Sequence, residues 1–145
     1  MKVLMGIDDS KYAGGVVRAF AAQFRAENTE VLVLHVLQPM GLSAPPEMAM
    51  GYAPELADLK QPAHELVERI ANELRSAGFK AESAVEVGDV RERILDSAVE
   101  WRADLIVMGS HGQRGLQRFL LGSVAEFVAR HAKCSVEIIR TPAGN

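Results

Sequence analysis

Three nearly continuous apolar runs constrain this chain more than any other feature: Val3 to Ile7, Val31 to Leu37 broken only by His35, and Leu105 to Met108. A strand with one wet face alternates polar and apolar residues, whereas an unbroken run must be covered on both faces. Parallel sheets with helices on either side do that. The runs predict strands over residues 2–8, 31–37 and 104–108, each fully inside the protein.

The segments between them carry helical spacing. Tyr12, Val16, Phe20 and Phe24 recur every fourth residue, predicting an amphipathic helix from Lys11 to about Glu27 that Asn28 and Thr29 interrupt. A longer helix is expected from Leu56 to Ala77, with Leu59, Ala63, Leu66, Val67, Ile70 and Leu74 on one face and Gly78 just past its end. Residues 80–87 alternate weakly, as an edge strand does. Asp89 and Glu92 form a capping box for a helix whose buried stripe is Val90, Ile94, Ala98 and Trp101. The last helix, Ser123 to His131, turns Val124, Phe127, Val128 and Ala132 inward and ends in His131 and Lys133, where cations favour a helix C-terminus. A fifth strand runs from Cys134 to Arg140.

This alternation predicts one α/β domain over residues 1–145: a doubly wound, open, parallel five-stranded sheet with helices on both faces. In the order 3-2-1-4-5 the strand sequence reverses between strands 1 and 4, and ligands of such sheets sit at that reversal, outside the C-terminal strand ends. Asp8 and Gly109 would face each other there, although about 100 residues apart in sequence.

Residues 38–55 break the pattern with four prolines and two glycines. They read as a long loop, a class of segment that is either functional or mobile. Met40, Met48 and Met50 could pack over a ligand, but mobile surface is the plainer reading.

Composition narrows the functional classes. At 145 residues, 48% hydrophobic and 24% charged, the chain has the makeup of a soluble globular protein rather than a disordered one. A net charge of −3 argues against a broad footprint for nucleic acid or anionic lipid. The apolar run before Asp8 is too short for a signal peptide or a membrane span, so a cytoplasmic location is expected. Cys134 is the single cysteine; it has no disulfide or redox partner and reads as a small apolar residue. His64 and Glu68, one helical turn apart, are two ligands at most and do not make a metal site.

The chemistry is concentrated between residues 105 and 126. There an apolar strand meets a glycine cluster, Gly109, Gly112 and Gly115, and a further glycine, Gly122, precedes Ser123 and a helix. Glycines let a backbone approach a ligand or take positive φ, and free amides at a helix N-terminus attract phosphate. An alternative needs no ligand: Ser123 with Glu126 is a capping box, and Gly109 merely ends a strand. No Walker sequence and no dinucleotide-type glycine fingerprint occurs in the chain.

The spacing of Gly109, Gly112, Gly122 and Ser123, with the apolar strand before it and helix and strand after it, resembles the nucleotide-binding signature of the universal stress protein family. The first strand with its acidic turn, Val3 to Ser10, and the second strand, Val31 to Val36, resemble the same family, so the likeness spans nearly the whole chain. It implies a Rossmann-like fold of the adenine nucleotide alpha hydrolase type and ATP binding, with Mg²⁺ or Mn²⁺. The residues it implies are Gly6, Ile7, Asp8, Val36, Met108, Gly109, His111, Gly112, Gly122, Ser123 and Val124. In that pattern Asp8 accepts from ribose hydroxyls, backbone near Val36 meets the adenine edge, and the loop amides with the Ser123 hydroxyl hold phosphate. Asp9 could equally cap the first helix. Arg114 and Arg118 are possible phosphate contacts or plain surface residues, and His111 lacks a partner that would make it a general base.

The resemblance also implies a homodimer paired through the last strand, Val136 to Arg140, with Val136, Ile138 and Ile139 as apolar contacts. Ser135 and Glu137 depart from the family pattern, and a two-fold axis could bring the Glu137 carboxylates together. The function expected is a nucleotide-dependent dimeric regulator in a stress response, acting on an unidentified protein partner. A slow ATPase or phosphotransferase and a scaffold that binds no nucleotide are the alternatives, and binding is better supported than turnover. A response-regulator receiver fits poorly, because the fifth strand ends in Ile139, Arg140 and Thr141 where a receiver needs a lysine.

Overall fold

The computed structural model describes residues 1–8, 12–39, 52–110 and 121–140. Its five strands, β1 (Lys2–Gly6), β2 (Glu30–Leu37), β3 (Lys80–Val87), β4 (Leu105–Gly109) and β5 (Ser135–Ile139), form one sheet in the order β3-β2-β1-β4-β5. Every neighbouring pair is parallel. The crossovers contain α1 (Ala13–Gln23), α2 (Tyr52–Ser76), α3 (Val90–Trp101) and α4 (Ser123–His131). The expected doubly wound sheet and its strand order are therefore observed.

The sheet also explains why the runs are unbroken. Alternate residues serve two cores: Val3, Met5, Val31, Val33 and Val107 pack toward α1 and α2, while Leu4, Leu34, Val36, Ile106 and Met108 pack toward α3 and α4. Both parities are buried, so neither can be polar. Each fully buried Leu, Ile or Phe contributes roughly 1.5–3 kcal/mol of hydrophobic stabilisation.

Two helices differ from their sequence expectation. α1 stops at Gln23 because Phe24 takes extended backbone, φ −108° and ψ 146°. Its ring nonetheless stacks on Phe20, 4.6 Å between centroids, which preserves the four-residue spacing after the helix has ended. A 3₁₀ turn, Ala26–Asn28, follows, and the Thr29 hydroxyl donates to the Arg25 carbonyl at 2.8 Å. α2 begins earlier than expected, at Tyr52. Pro54 lies in its first turn, where backbone amides lack intrahelical acceptors anyway, so the proline is tolerated there. Pro62 lies inside the helix and removes one interior hydrogen bond.

The C-terminus of α2 is as the sequence implies. Gly78 has φ +97°; its amide donates to the Arg75 carbonyl at 2.9 Å and the Phe79 amide to the Leu74 carbonyl at 3.0 Å. That pair of bonds closes the helix, and buried Phe79 packs beside buried Leu74. Asp89 caps α3 by accepting from the Glu92 amide at 3.1 Å. Not every residue of the expected buried stripes is fully covered. Leu59 is exposed, and Trp101 is half-buried with the Lys2 ammonium 4.8 Å above its ring. Among the described residues, no helix is long and apolar enough to cross a membrane.

Candidate functional site

The sheet brings together the residues that the sequence could associate only through topology. Gly6 at the end of β1 pairs with Met108 on β4 and with Leu34 on β2, so β4 runs one residue and β2 three residues beyond the end of β1. Ile7, Asp8 and Val36 lie on one side of this edge and Met108 and Gly109 on the other. His111, Gly112, Arg114 and Arg118 lie outside the described residues, as does Asp9.

The β2 side of the crevice has a free edge. The Ile7 amide donates to the Leu34 carbonyl at 2.9 Å, the last rung between β1 and β2. In a parallel ladder alternate residues point their backbone groups to the same neighbour, so the N–H and C=O of Val36 face the β1 side one step beyond that rung. A flat heterocycle with one donor and one acceptor could pair there. The buried Val36 side chain, with Met108 and Ile94, supplies an apolar wall, and half-buried Val90 and Val124 extend it.

On the β4 side the ends of the glycine loop are tied. The Ser110 amide donates to the Ile139 carbonyl at 2.9 Å, and the Ser110 carbonyl accepts from the Gly122 amide at 2.9 Å. Ser110 and Gly122 are thus held against each other. Gly109 and Gly122 do not have positive φ, which among described glycines is confined to Gly78 and Gly88. Their lack of a Cβ therefore bears on close approach, not on backbone handedness. At Gly6 an added Cβ would meet the Ile94 Cδ1 at an ordinary 3.6 Å, so that position has space for a methyl group.

The capping-box reading of Ser123 does not hold. Gly122 is the N-cap of α4, and among the described residues no side chain bonds the cap. Ser123 is the first helical residue, with its side chain exposed, and Glu126 instead pairs with Arg130 at 3.0 Å. The first-turn amides and the Ser123 hydroxyl stand at the positive end of the helix dipole without a side-chain cap. This arrangement can receive an anion.

The sequence search for similar proteins agrees over the same extent. The profile of the Universal stress protein family matches residues 1–140. The chain belongs to the universal stress protein family. It is 31% identical to the universal stress protein Sll1388 of Synechocystis over 96% of this chain and 97% of that one. The solved structure of MJ0577 from Methanocaldococcus jannaschii is 29% identical and superposes with a TM-score of 0.85, covering 99% of this chain and 97% of that chain. A universal stress protein from Archaeoglobus fulgidus, solved in complex with dAMP, is 27% identical with a TM-score of 0.65 over 96% and 97% of the two chains.

Two residues of this universal stress protein family member that sequence reasoning passed over organise the site. His35, only 7% exposed, directs Nδ1 to the Ile7 carbonyl at 2.9 Å and so fixes the chain just before Asp8. A carbonyl can only accept, so Nδ1 carries the proton. Its signal was the one polar interruption in an apolar run. Ser110 ties the glycine loop through its backbone, and its buried Oγ has no hydrogen-bond partner among the described residues. Its signal was position alone, between Gly109 and the loop.

Proposed function

We propose that this universal stress protein binds ATP in the crevice between the C-terminal ends of β1 and β4 and acts as a nucleotide-dependent dimeric regulator in the cytoplasm. The observation that carries this reading is the uncapped N-terminus of α4, held beside the strand reversal by the Gly122 to Ser110 bond. The dAMP-bound relative supports an adenine nucleotide as the ligand.

In this reading the Val36 backbone pairs with the adenine edge and Asp8 accepts from the ribose hydroxyls. Gly109 and Gly122, the amides of Ser123 and Val124, and the Ser123 hydroxyl surround the phosphates, with Gly6, Ile7 and Met108 forming the base. His111, Gly112, Arg114 and Arg118 are proposed to complete the phosphate contacts. Among the described residues no cluster of three or more His, Cys, Asp or Glu could hold a metal. Mg²⁺ or Mn²⁺ would accordingly enter on the phosphates, keeping several waters, as hard cations commonly do with nucleotides.

The proposed dimer pairs β5, Val136 to Arg140, across a two-fold axis, since β5 is an edge of the sheet. Ile139 is buried in the core beneath α1 and α2, while Val136 and Ile138 are half-buried against the core on the other face, beneath α3 and α4. Backbone pairing, more than Ile139, would hold such a dimer. Calorimetry with ATP and Mg²⁺ or Mn²⁺, with extraction of nucleotide from freshly denatured protein, tests the proposal. Saturable binding or co-purified ATP supports it, and the same titration followed for phosphate release separates a slow ATPase. A folded protein that takes up no nucleotide would leave the scaffold reading.

A further inference from the structure

A second concavity lies on the opposite face of the sheet from α4. It is a cavity of about 340 Å³ between α1 and α2, over the C-terminal end of β2. That volume is at the lower end of the range for small-molecule sites, roughly 300–1,000 Å³. Its walls are apolar, from Leu37, Ala63, Leu66 and Ile70, and His35 lines it as well. Arg69 and Glu73, both exposed and one helical turn apart, form its polar border.

His35 gives this cavity a direction. Because Nδ1–H donates to the Ile7 carbonyl, Nε2 of the neutral ring keeps a lone pair and can only accept. An acceptor within apolar walls selects a ligand with a matching donor, since an acceptor covered by a ligand and left unpaired costs its desolvation. The two charges at the border are of opposite sign and favour neither an anion nor a cation. We propose that this cavity binds a small neutral aromatic compound with one N–H or O–H group, donated to His35 Nε2. Such a molecule would be one hydrogen-bonded ring away from the Ile7 carbonyl. The proposal stands independently of nucleotide binding.

Indole and phenol are suitable probes, titrated to their solubility limits into the nucleotide-free protein and followed by NMR of the His35 ring nitrogens and of the Leu37, Ala63, Leu66 and Ile70 methyls. The expected result is a saturable shift at Nε2 together with those methyls. Toluene, of similar size without a donor, should bind at least about tenfold more weakly, the factor that corresponds to ~1.4 kcal/mol. Ala63→Met, which fills the cavity, should abolish the shifts while leaving the circular dichroism spectrum intact. His35→Asn, whose side-chain amide can still donate to Ile7, should lose the preference for indole and phenol over toluene, and it decides the matter if Ala63→Met does not fold. Absence of saturation with both probes, equal affinity for toluene, or shifts that persist in folded Ala63→Met overturns the proposal.

Discussion

Replacing His35 tests whether a single side chain fixes the end of β1. His35→Phe keeps a flat ring at a position only 7% exposed but removes the donor to the Ile7 carbonyl, a bond of 2.9 Å. A buried acceptor left without its partner costs about 1–3 kcal/mol. For a domain of this size that corresponds to a fall in Tm of roughly 3–12 °C, at about 3–4 °C per kcal/mol. His35→Asn can still donate to Ile7 and should recover part of the hydrogen-bond loss, though its smaller side chain leaves a void. Urea denaturation gives the comparison, with the m-value unchanged if only stability moves. Hydrogen exchange adds a local reading: the Ile7 amide, bonded to Leu34, should lose protection in His35→Phe beyond the global loss. If His35→Phe matches the wild type to within about 0.5 kcal/mol, or if Ile7 exchange falls only in step with global stability, the tether has no local role.

Other expectations follow from single interactions. Ser123→Ala should leave Tm nearly unchanged, because Ser123 is not the cap of α4, and should weaken ATP binding in calorimetry; a stability loss near 1 kcal/mol, typical for removing a cap, would restore the capping reading. Asp89→Ala is the positive control for that comparison and should cost about 1 kcal/mol by urea titration, since its carboxylate does cap α3. Gly78→Ala should destabilise by about 1–2 kcal/mol, because φ is +97° and the new Cβ would stand 3.3 Å from the Ala26 Cβ. Hydrogen bonds from Arg75 and then from Ser83 hold the Glu68 carboxyl below its usual range. A depressed folded value stabilises above the unfolded pKa and is lost as pH falls through the folded one, so Glu68→Gln should flatten the acid limb of the stability profile, lowering stability slightly at neutral pH and leaving it unaltered below the folded value.

The strands were legible because burial on both faces imposes composition: Val3 to Ile7 and Leu105 to Met108 admit no polar residue in a doubly covered sheet. Caps with a local mechanism were legible too, as at Gly78 and Asp89. The limits of α1 and α2 were not. Phe24 keeps helical spacing through its contact with Phe20 after the backbone has turned away, and the prolines that suggested a loop include Pro54, which a first turn tolerates. Ser123 shows the same limit at the site, since a one-residue shift of the helix start turns a cap into an exposed hydroxyl.

The sequence alone determined the class of fold and pointed to the glycine loop as the place to look for a ligand, because each depends on local spacing or on a pattern many residues long. The tertiary structure decided which groups meet: His35 with Ile7 across 28 positions, Ser110 with both Gly122 and Ile139, and the cavity between α1 and α2. Those relations arise from parallel strands placed side by side by long crossovers. Register and packing between distant segments, not local preference, set them.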